Sequence, residues 1–511
     1  MNTRLFFVST LLAVLVLIFL SGPMAEAKKD DVDYGSKAKM LPTDEQIFSW
    51  IKDLWWIGRT SETGFRRAGT EADHRAANYI LEKFKSFGLH DVHLEPVKFP
   101  SWAAHEWGLK IKVGENQRWD HIPSYYRPYS GFTPAEGLTA EMVYVGRGMK
   151  PADFKGVKNK IVVVDLFAPG LPFDKVFKPA ALFVYDPDNT LPGAKVTQNW
   201  PVLNILSSFK LAVENGAVGF VGILDFDLQN MNQYYSPYNA ILQKIPGIYI
   251  SRLDGKYLKK LIKENPVKAN LVLRGSKSEG TTHNVVGSLP GQTNEVILVT
   301  SHLDGWAVND ASGTSIVMAL AKYCGQLPAK STKKTLMFVA SAGHFIGDIP
   351  TRAFIKKHSD MMPSVVVDLN IEHIAKEIVE KDGMFRWTGL VAPRAFFISG
   401  PRLSGNKYLT AIAKKAVIKN KLKRTVGTPA SGLLGPHPPG ISHWYDAAGI
   451  PIVHLITGPA VMFTPVDTPD KVASDQLRRV TATFVDIIDQ IDNTPADLMK
   501  TKKEATSGSS K

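Results

Sequence analysis

One cysteine in 511 residues removes the disulfide as a support for this fold, because Cys324 has no partner within the chain. It falls in an apolar helical pattern and reads as a small buried hydrophobe. A dense basic run is also missing. The 61 Lys and Arg exceed the 48 Asp and Glu by a formal net charge of +13, yet they are scattered. That pattern excludes a nucleic-acid arm and reads as a solvated basic surface, tolerant of anionic cell-envelope polymers. No internal repeat appears, which excludes solenoids and propellers. No second apolar run is long enough for a membrane span. What is present is 44% hydrophobic and 21% charged residues, the balance of a globular protein with room for two or three domains.

The N-terminus has its own character. Arg4 precedes an apolar run from Leu5 to Leu20, and "AEA" at 25–27 supplies small residues for cleavage. Residues 1–27 read as a secretory signal, so the body is expected to be secreted or to sit in the periplasm or cell envelope. Membrane contact is expected only if that segment stays uncleaved. The absence of cysteine near the cleavage point excludes a lipid-modified N-terminal cysteine.

The remainder divides by texture. Residues 28–43 are polar and read as a loose lead-in. A helical pattern starts at Thr43, and Thr70 is placed to cap a helix whose stripe is Ala76, Ala77, Ile80, Leu81 and Phe84. Gly88 ends it, and "HDVHLEPVKF" alternates like a strand. Residues 28–114 read as the first part of a domain that resumes at 281. Residues 115–280 alternate short β-like runs with Gly- and Pro-rich turns, and read as a small β-rich insert. Strand–helix alternation returns over 281–494, with continuous apolar strands such as "VILVTSH" and "SVVVDLNIEH". This predicts an α/β fold, a three-layer, mostly parallel sheet with helices on both faces and sites at the strands' C-terminal ends. Residues 495–511 read as a disordered tail.

The chemistry-bearing stretch is "VTSHLDGWAVNDASG" at 299–313, where His302 and Asp304 end an apolar run and Asn309 and Asp310 open a helix. Together with "RRAGTEADHRAANYI", "DAAGIPIVHL" and "TPVDTPDKV", it resembles the aminopeptidase Y and transferrin-receptor-like group of zinc exopeptidases. The "HLDGW" form is nearest the secreted carboxypeptidase-like branch. The insert resembles the protease-associated domain of many members. The resemblance implies two zinc ions sharing a bridging Asp. One zinc also takes the His of the HxD motif and a later acidic residue. The other takes the second Glu of a Glu-Glu pair and a His opening a His-Thr-Pro motif, and the first Glu is the general base.

Carried onto this chain, the pattern is partly replaced. His302 takes the HxD position, and Asp304 is expected to orient its ring. The bridging place falls on Asn309. Asp310 serves if the shortened loop slides by one residue, or else it caps the following helix. The Glu-Glu places hold His344, a candidate base or a half-buried loop histidine, and Phe345. Glu372 ends the strand "SVVVDLNIE" as the later acidic ligand, with Asp368 the off-register alternative and His373 facing the other way if the strand continues. Phe463 stands where the last histidine belongs. His443 and His454 are nearby and read as structural or cleft-lining. One zinc at most, or none, is expected. Three readings follow: a peptide-end or small-molecule binding protein with hydrolysis lost or strongly impaired, a rebuilt one-metal exopeptidase, or a non-enzymatic envelope assembly partner. Oligomeric state is not fixed by these residues.

Overall fold

A computed structural model of the protein describes residues 32–114, 118–226 and 235–500. The expected signal, 1–27, and residues 501–511 of the expected tail lie outside the described residues. The first helices form as their sequences ask. Thr43 caps α1 (Asp44–Arg59) by accepting the Gln46 N–H at 3.2 Å. Thr70 caps α2 (Glu71–Ser86) through the Asp73 N–H at 3.4 Å. Ala76, Ala77, Ile80 and Phe84 are fully buried, as their stripe predicts.

From α2 the chain enters β1 (His90–Val113), followed by β2 (Leu138–Tyr144), β3 (Ile161–Asp165), β4 (Phe183–Tyr185), β5 (Gly219–Ile223), β6 (Gly247–Ile250), α3 (Arg252–Glu264) and β7 (Val267–Leu289). β1 and β7 pair antiparallel from His90↔Ser288 to Val113↔Val267. At one end of this ribbon β7 takes β2, after which β3, β5 and β6 follow in parallel. The expected border at 280 therefore falls inside a continuous strand. Part of the insert also leaves it: β4 closes the far edge of the peptidase sheet. Phe173, Phe177, Leu191 and Val196 share a core with Leu298, Phe397 and Ile452.

The other end of β7 opens the peptidase sheet. In chain order come β8 (Val296–His302), α4 (Ala311–Gly325), β9 (Thr335–Ser341), α5 (Ile349–Lys357) and β10 (Val365–Ile371). Then follow a separate hairpin, β11 (Lys376–Lys381) and β12 (Met384–Val391), β13 (Arg394–Ile398), α6 (Lys407–Lys419), β14 (Thr425–Pro429), α7 (Ser442–Ala447), β15 (Ile452–Ile456) and α8 (Leu477–Asp492). Across the sheet the order is β7–β9–β8–β10–β15–β13–β14–β4, with β9, β8, β10 and β15 parallel. All of Val296–His302 and Val365–Ile371 is buried, which fits strands covered on both faces. α1, α2, α4, α6 and α8 pack on one face, α5 and α7 on the other. The fold is the mostly parallel three-layer α/β sheet that the strand–helix rhythm predicts.

Two expectations at the ends do not hold. The lead-in is anchored: Leu41 is buried and Lys37 Nζ donates to Asp486 Oδ1 at 2.8 Å. Residues 495–500 are packed, with Met499 fully buried and Asn406 Nδ2 donating to the Leu498 carbonyl at 3.0 Å. A short apolar contact and two polar anchors suffice to hold segments whose composition is polar. Cys324 is buried, and burial pushes its thiol well above the usual range. No helix among the described residues is long and apolar enough to cross a membrane.

Candidate metal centre

The site begins with strand order. β8 and β10 are parallel neighbours, with Thr300 opposite Asn370, so their C-terminal ends deliver His302 and Glu372 side by side. The start of α4 closes on the same point because Gly313 has no side chain. A Cβ there would lie 2.3 Å from the Ile371 carbonyl oxygen. That close approach places Asp310 over the strand ends. Ligand atoms of His302, Asp310, Glu372 and His373 lie within 4.8 Å of one another, and all four residues are buried.

Two sequence expectations are corrected here. Asp310 does not cap α4, since its side chain makes no cap hydrogen bond. His373 does not face the opposite way. β10 ends at Ile371, and His373 sits at φ +56°, which turns its ring back toward His302 and Asp310. Alternation along a strand holds only while the strand lasts.

The donor atoms are poorly satisfied by protein alone. His302 Nε2, His373 Nε2 and both Asp310 carboxylate oxygens are buried and make no hydrogen bond. His302 Nε2 lies in close contact with Asp310 Oδ2, and Asp310 Oδ1 is 3.8 Å from His373 Nε2. A buried polar atom left without any partner costs about 1–3 kcal/mol, and His373 Nε2 has nothing nearer than the 3.8 Å contact with Asp310. Two imidazoles and two carboxylates converging with unused lone pairs are a donor set suited to one zinc ion. The other ring nitrogens are held in place. His302 Nδ1 meets the Asp304 carbonyl oxygen at 3.0 Å and Oδ1 at 3.3 Å, and His373 Nδ1 meets the Thr457 carbonyl at 2.9 Å. Asp304 has a second task, accepting the His344 and Phe345 N–H groups at 3.2 and 3.1 Å.

Three further side chains support the cluster: Arg66 and Asp467, which lie within the quoted motifs with no role assigned to them there, and His454. Arg66, fully buried, donates to the Leu303 and Trp306 carbonyls at 2.7 and 2.8 Å and so fixes the loop between His302 and Asp310. Asp467, from "TPVDTPD", accepts the Val308 and Asn309 N–H groups at 2.7 and 3.0 Å. Buried His454 donates or accepts through Nδ1 with Ser442 Oγ at 2.8 Å, and its Nε2 is 3.8 Å from Glu372 Oε2. Asp368, the off-register alternative, instead accepts the Thr300 hydroxyl at 2.7 Å.

Burial pulls the Glu372 carboxyl up, but His454, His302, His373 and His344 outweigh it and hold it at about 2. Burial raises Asp310 far above the usual range, helped by the Glu372 and Asp304 charges. Without a cation, burial thus favours the neutral form of Asp310, while the surrounding rings favour the charged form of Glu372. Burial lowers His373 and His454 to about 4, which leaves both rings neutral. His344 is the opposite case. Asp348, 2.8 Å from its Nδ1, with Glu372 and Asp304, overcomes burial and raises it to about 9. A ring that already holds its proton at neutral pH is not a general base.

The place expected for a second ion is aromatic. Phe345 and Phe463 have centroids 5.9 Å apart, and Phe345 packs edge-on against Trp306 at 5.4 Å and Tyr235 at 5.9 Å. Asn309 is 1% exposed, and neither side-chain amide atom has a partner. His443 meets the rings of His437 and Trp444 edge-on, at 4.7 and 4.9 Å, and is not part of the donor cluster.

Residues 284–488 match peptidase family M28. Carboxypeptidase Q of Bos taurus is 26% identical over 316 residues, 58% of this chain and 58% of that protein. Carboxypeptidase Q of Homo sapiens is 25% identical over 350 residues, 64% of this chain and 63% of that protein. The matched region thus spans about three fifths of these relatives' length. Among solved structures, BSAP, a zinc aminopeptidase from Bacillus subtilis, superposes with a TM-score of 0.63 at 16% identity, over 90% of this chain and 98% of that one. A peptidase M28 precursor from Shewanella amazonensis superposes at 0.62 and 20% identity, over 88% and 98%.

Proposed function

We propose that this chain, whose residues 284–488 match peptidase family M28, is an exported protein that holds one zinc ion beside a peptide-end-binding cleft, with two-zinc hydrolysis lost or strongly impaired. The observation that carries this reading is the convergence of His302, Asp310, Glu372 and His373 on one point, beside the Phe345–Phe463 pair. A catalytic zinc keeps three protein ligands and an open position, whereas four donors close a tetrahedral site. Phenyl rings supply no donor for a second ion. When bound, zinc supplies the positive charge that the two buried carboxyls lack. The remaining work belongs to the chain. Asp304 fixes the His302 ring, Thr457 fixes His373, and protonated His344 lines the cleft as a hydrogen-bond donor. His344, the candidate base, already holds its proton at neutral pH, and Glu372 and His373 are taken by the cation, so the base function, ordinarily worth about 10²–10⁴-fold in rate, is not supplied by these side chains.

Metal analysis of the purified protein, paired with aminoacyl and dipeptide substrates, tests this. The expected result is one zinc per chain, lost in His302→Ala, with little or no turnover. Two zinc ions with robust aminopeptidase turnover sink the reading. One zinc with turnover that needs His302 and rises only toward pH 9, where His344 gives up its proton, supports the rebuilt one-metal exopeptidase instead.

A further inference from the structure

A cavity of about 30 Å³ opens beside the donor cluster. Its walls are largely apolar, with Phe177, Trp200, Phe397, Leu434, Ile456 and Met462 among them. No Lys or Arg lines it. One water needs roughly 10–15 Å³, so the enclosed space suits two or three heavy atoms, such as the isopropyl part of a ligand whose polar end reaches Asn309 at the wall, and excludes a phenyl ring. Its polar groups are mostly committed. Thr457 donates its hydroxyl to the His373 carbonyl at 2.9 Å, Thr197 donates to the Trp200 carbonyl, and His344 Nδ1 is held by Asp348. Asn309 differs. Its backbone N–H is pinned by Asp467 at 3.0 Å, while its carboxamide oxygen and nitrogen, both buried, have no partner.

A carboxamide presents an acceptor and donors side by side, and its closest complement is another amide. Leaving both unpaired in a buried place is unfavourable, so a ligand that meets both gains affinity. A free carboxylate finds one cationic side chain in the lining, His344, whose charge Asp348 already balances. A free amine competes with the cation for Glu372. We propose that this cavity binds a small aliphatic group joined to an uncharged amide, and that Asn309 reads the amide. The inference rests on the single-zinc reading for the cavity's neighbour and not for its own chemistry.

The holoprotein, with zinc content measured beforehand, is titrated by ligand-observed NMR with isobutyramide, methyl isobutyrate, isobutyrate and phenylacetamide. Isobutyramide is expected to bind at least about fivefold tighter than the ester, which lacks the N–H donors. The carboxylate and the phenyl amide are expected to bind more weakly than isobutyramide. Asn309→Ala should erase the preference for amide over ester and leave zinc content unchanged. Met462→Trp, which fills the cavity from its wall, should abolish isobutyramide binding with zinc retained. Equal affinity for amide and ester overturns the proposal, as does the absence of binding by any of the four in protein holding one zinc. Zinc loss in Asn309→Ala also overturns it, because Asn309 would then be a metal donor. A wild-type protein without zinc that still prefers the amide removes the single-zinc reading and leaves this one standing.

Discussion

Gly440 is the residue on which the position of Glu372 depends. A Cβ at Gly440 would fall 2.2 Å from Glu372 Oε1, and its φ of +72° already disfavours a side chain. The next N–H, from Ile441, donates to the same oxygen at 3.3 Å. Gly440→Ala is expected to displace the carboxylate and weaken zinc retention by about 10–100-fold, read by competition with a chromophoric chelator, with secondary structure intact. Phe345 acts through packing. It is fully buried among aromatic rings, so Phe345→Ala is expected to lower stability by about 3–5 kcal/mol in urea unfolding. At this scale the sequence was uneven. His302 and Glu372 could be placed because apolar strands end where sites form. His373 could not, because a single left-handed residue after Ile371 reverses the direction alternation assigns to it. Arg66 and Asp467 act on backbone carbonyls and N–H groups, and such partners leave no mark in residue spacing.

Among elements, the lead-in before α1, the end of α6 and α8 meet at one carboxylate. Asp486 accepts from Lys37 and Lys419, each at 2.8 Å, and from Asn420 at 2.7 Å. Burial opposes ionisation there, yet these partners hold the carboxyl below its ordinary 3.8. A folded value below the unfolded one gives stability that is present above pH 3.8 and is lost as pH falls through the folded value. The urea midpoint of the wild type should therefore drop more steeply below pH 4 than that of Asp486→Asn. Equal slopes would remove Asp486 from acid sensitivity. The helices and strands themselves were legible from caps and apolar runs, as Thr43 and Thr70 show. The insert's border was not, because β7 reads as two textures and folds as one strand.

For the molecule as a whole, the donor cluster joins the ends of β8 and β10 to the start of α4, so a cation held there would tie these three elements together. Zinc that binds only the folded state stabilises it by about 2.7 kcal/mol at a hundredfold excess over Kd. Removing it with a chelator should lower the melting temperature by roughly 2–3 °C, restored by added zinc, and an unchanged melt in zinc-loaded protein would count against the site. Sequence alone determined the mostly parallel layered sheet and which strands carry the candidate ligands, because burial on both faces demands unbroken apolar runs. It also placed Phe345 and Phe463, whose rings have no lone pair to give a cation, in the stretches that the resemblance marks. Tertiary structure decided which nitrogen and oxygen atoms face one another, that Asp310 joins them without capping its helix, and that Asn309 stands unpaired beside an apolar cavity. Those facts depend on close approaches and turns between segments far apart in the chain, and no local pattern records them.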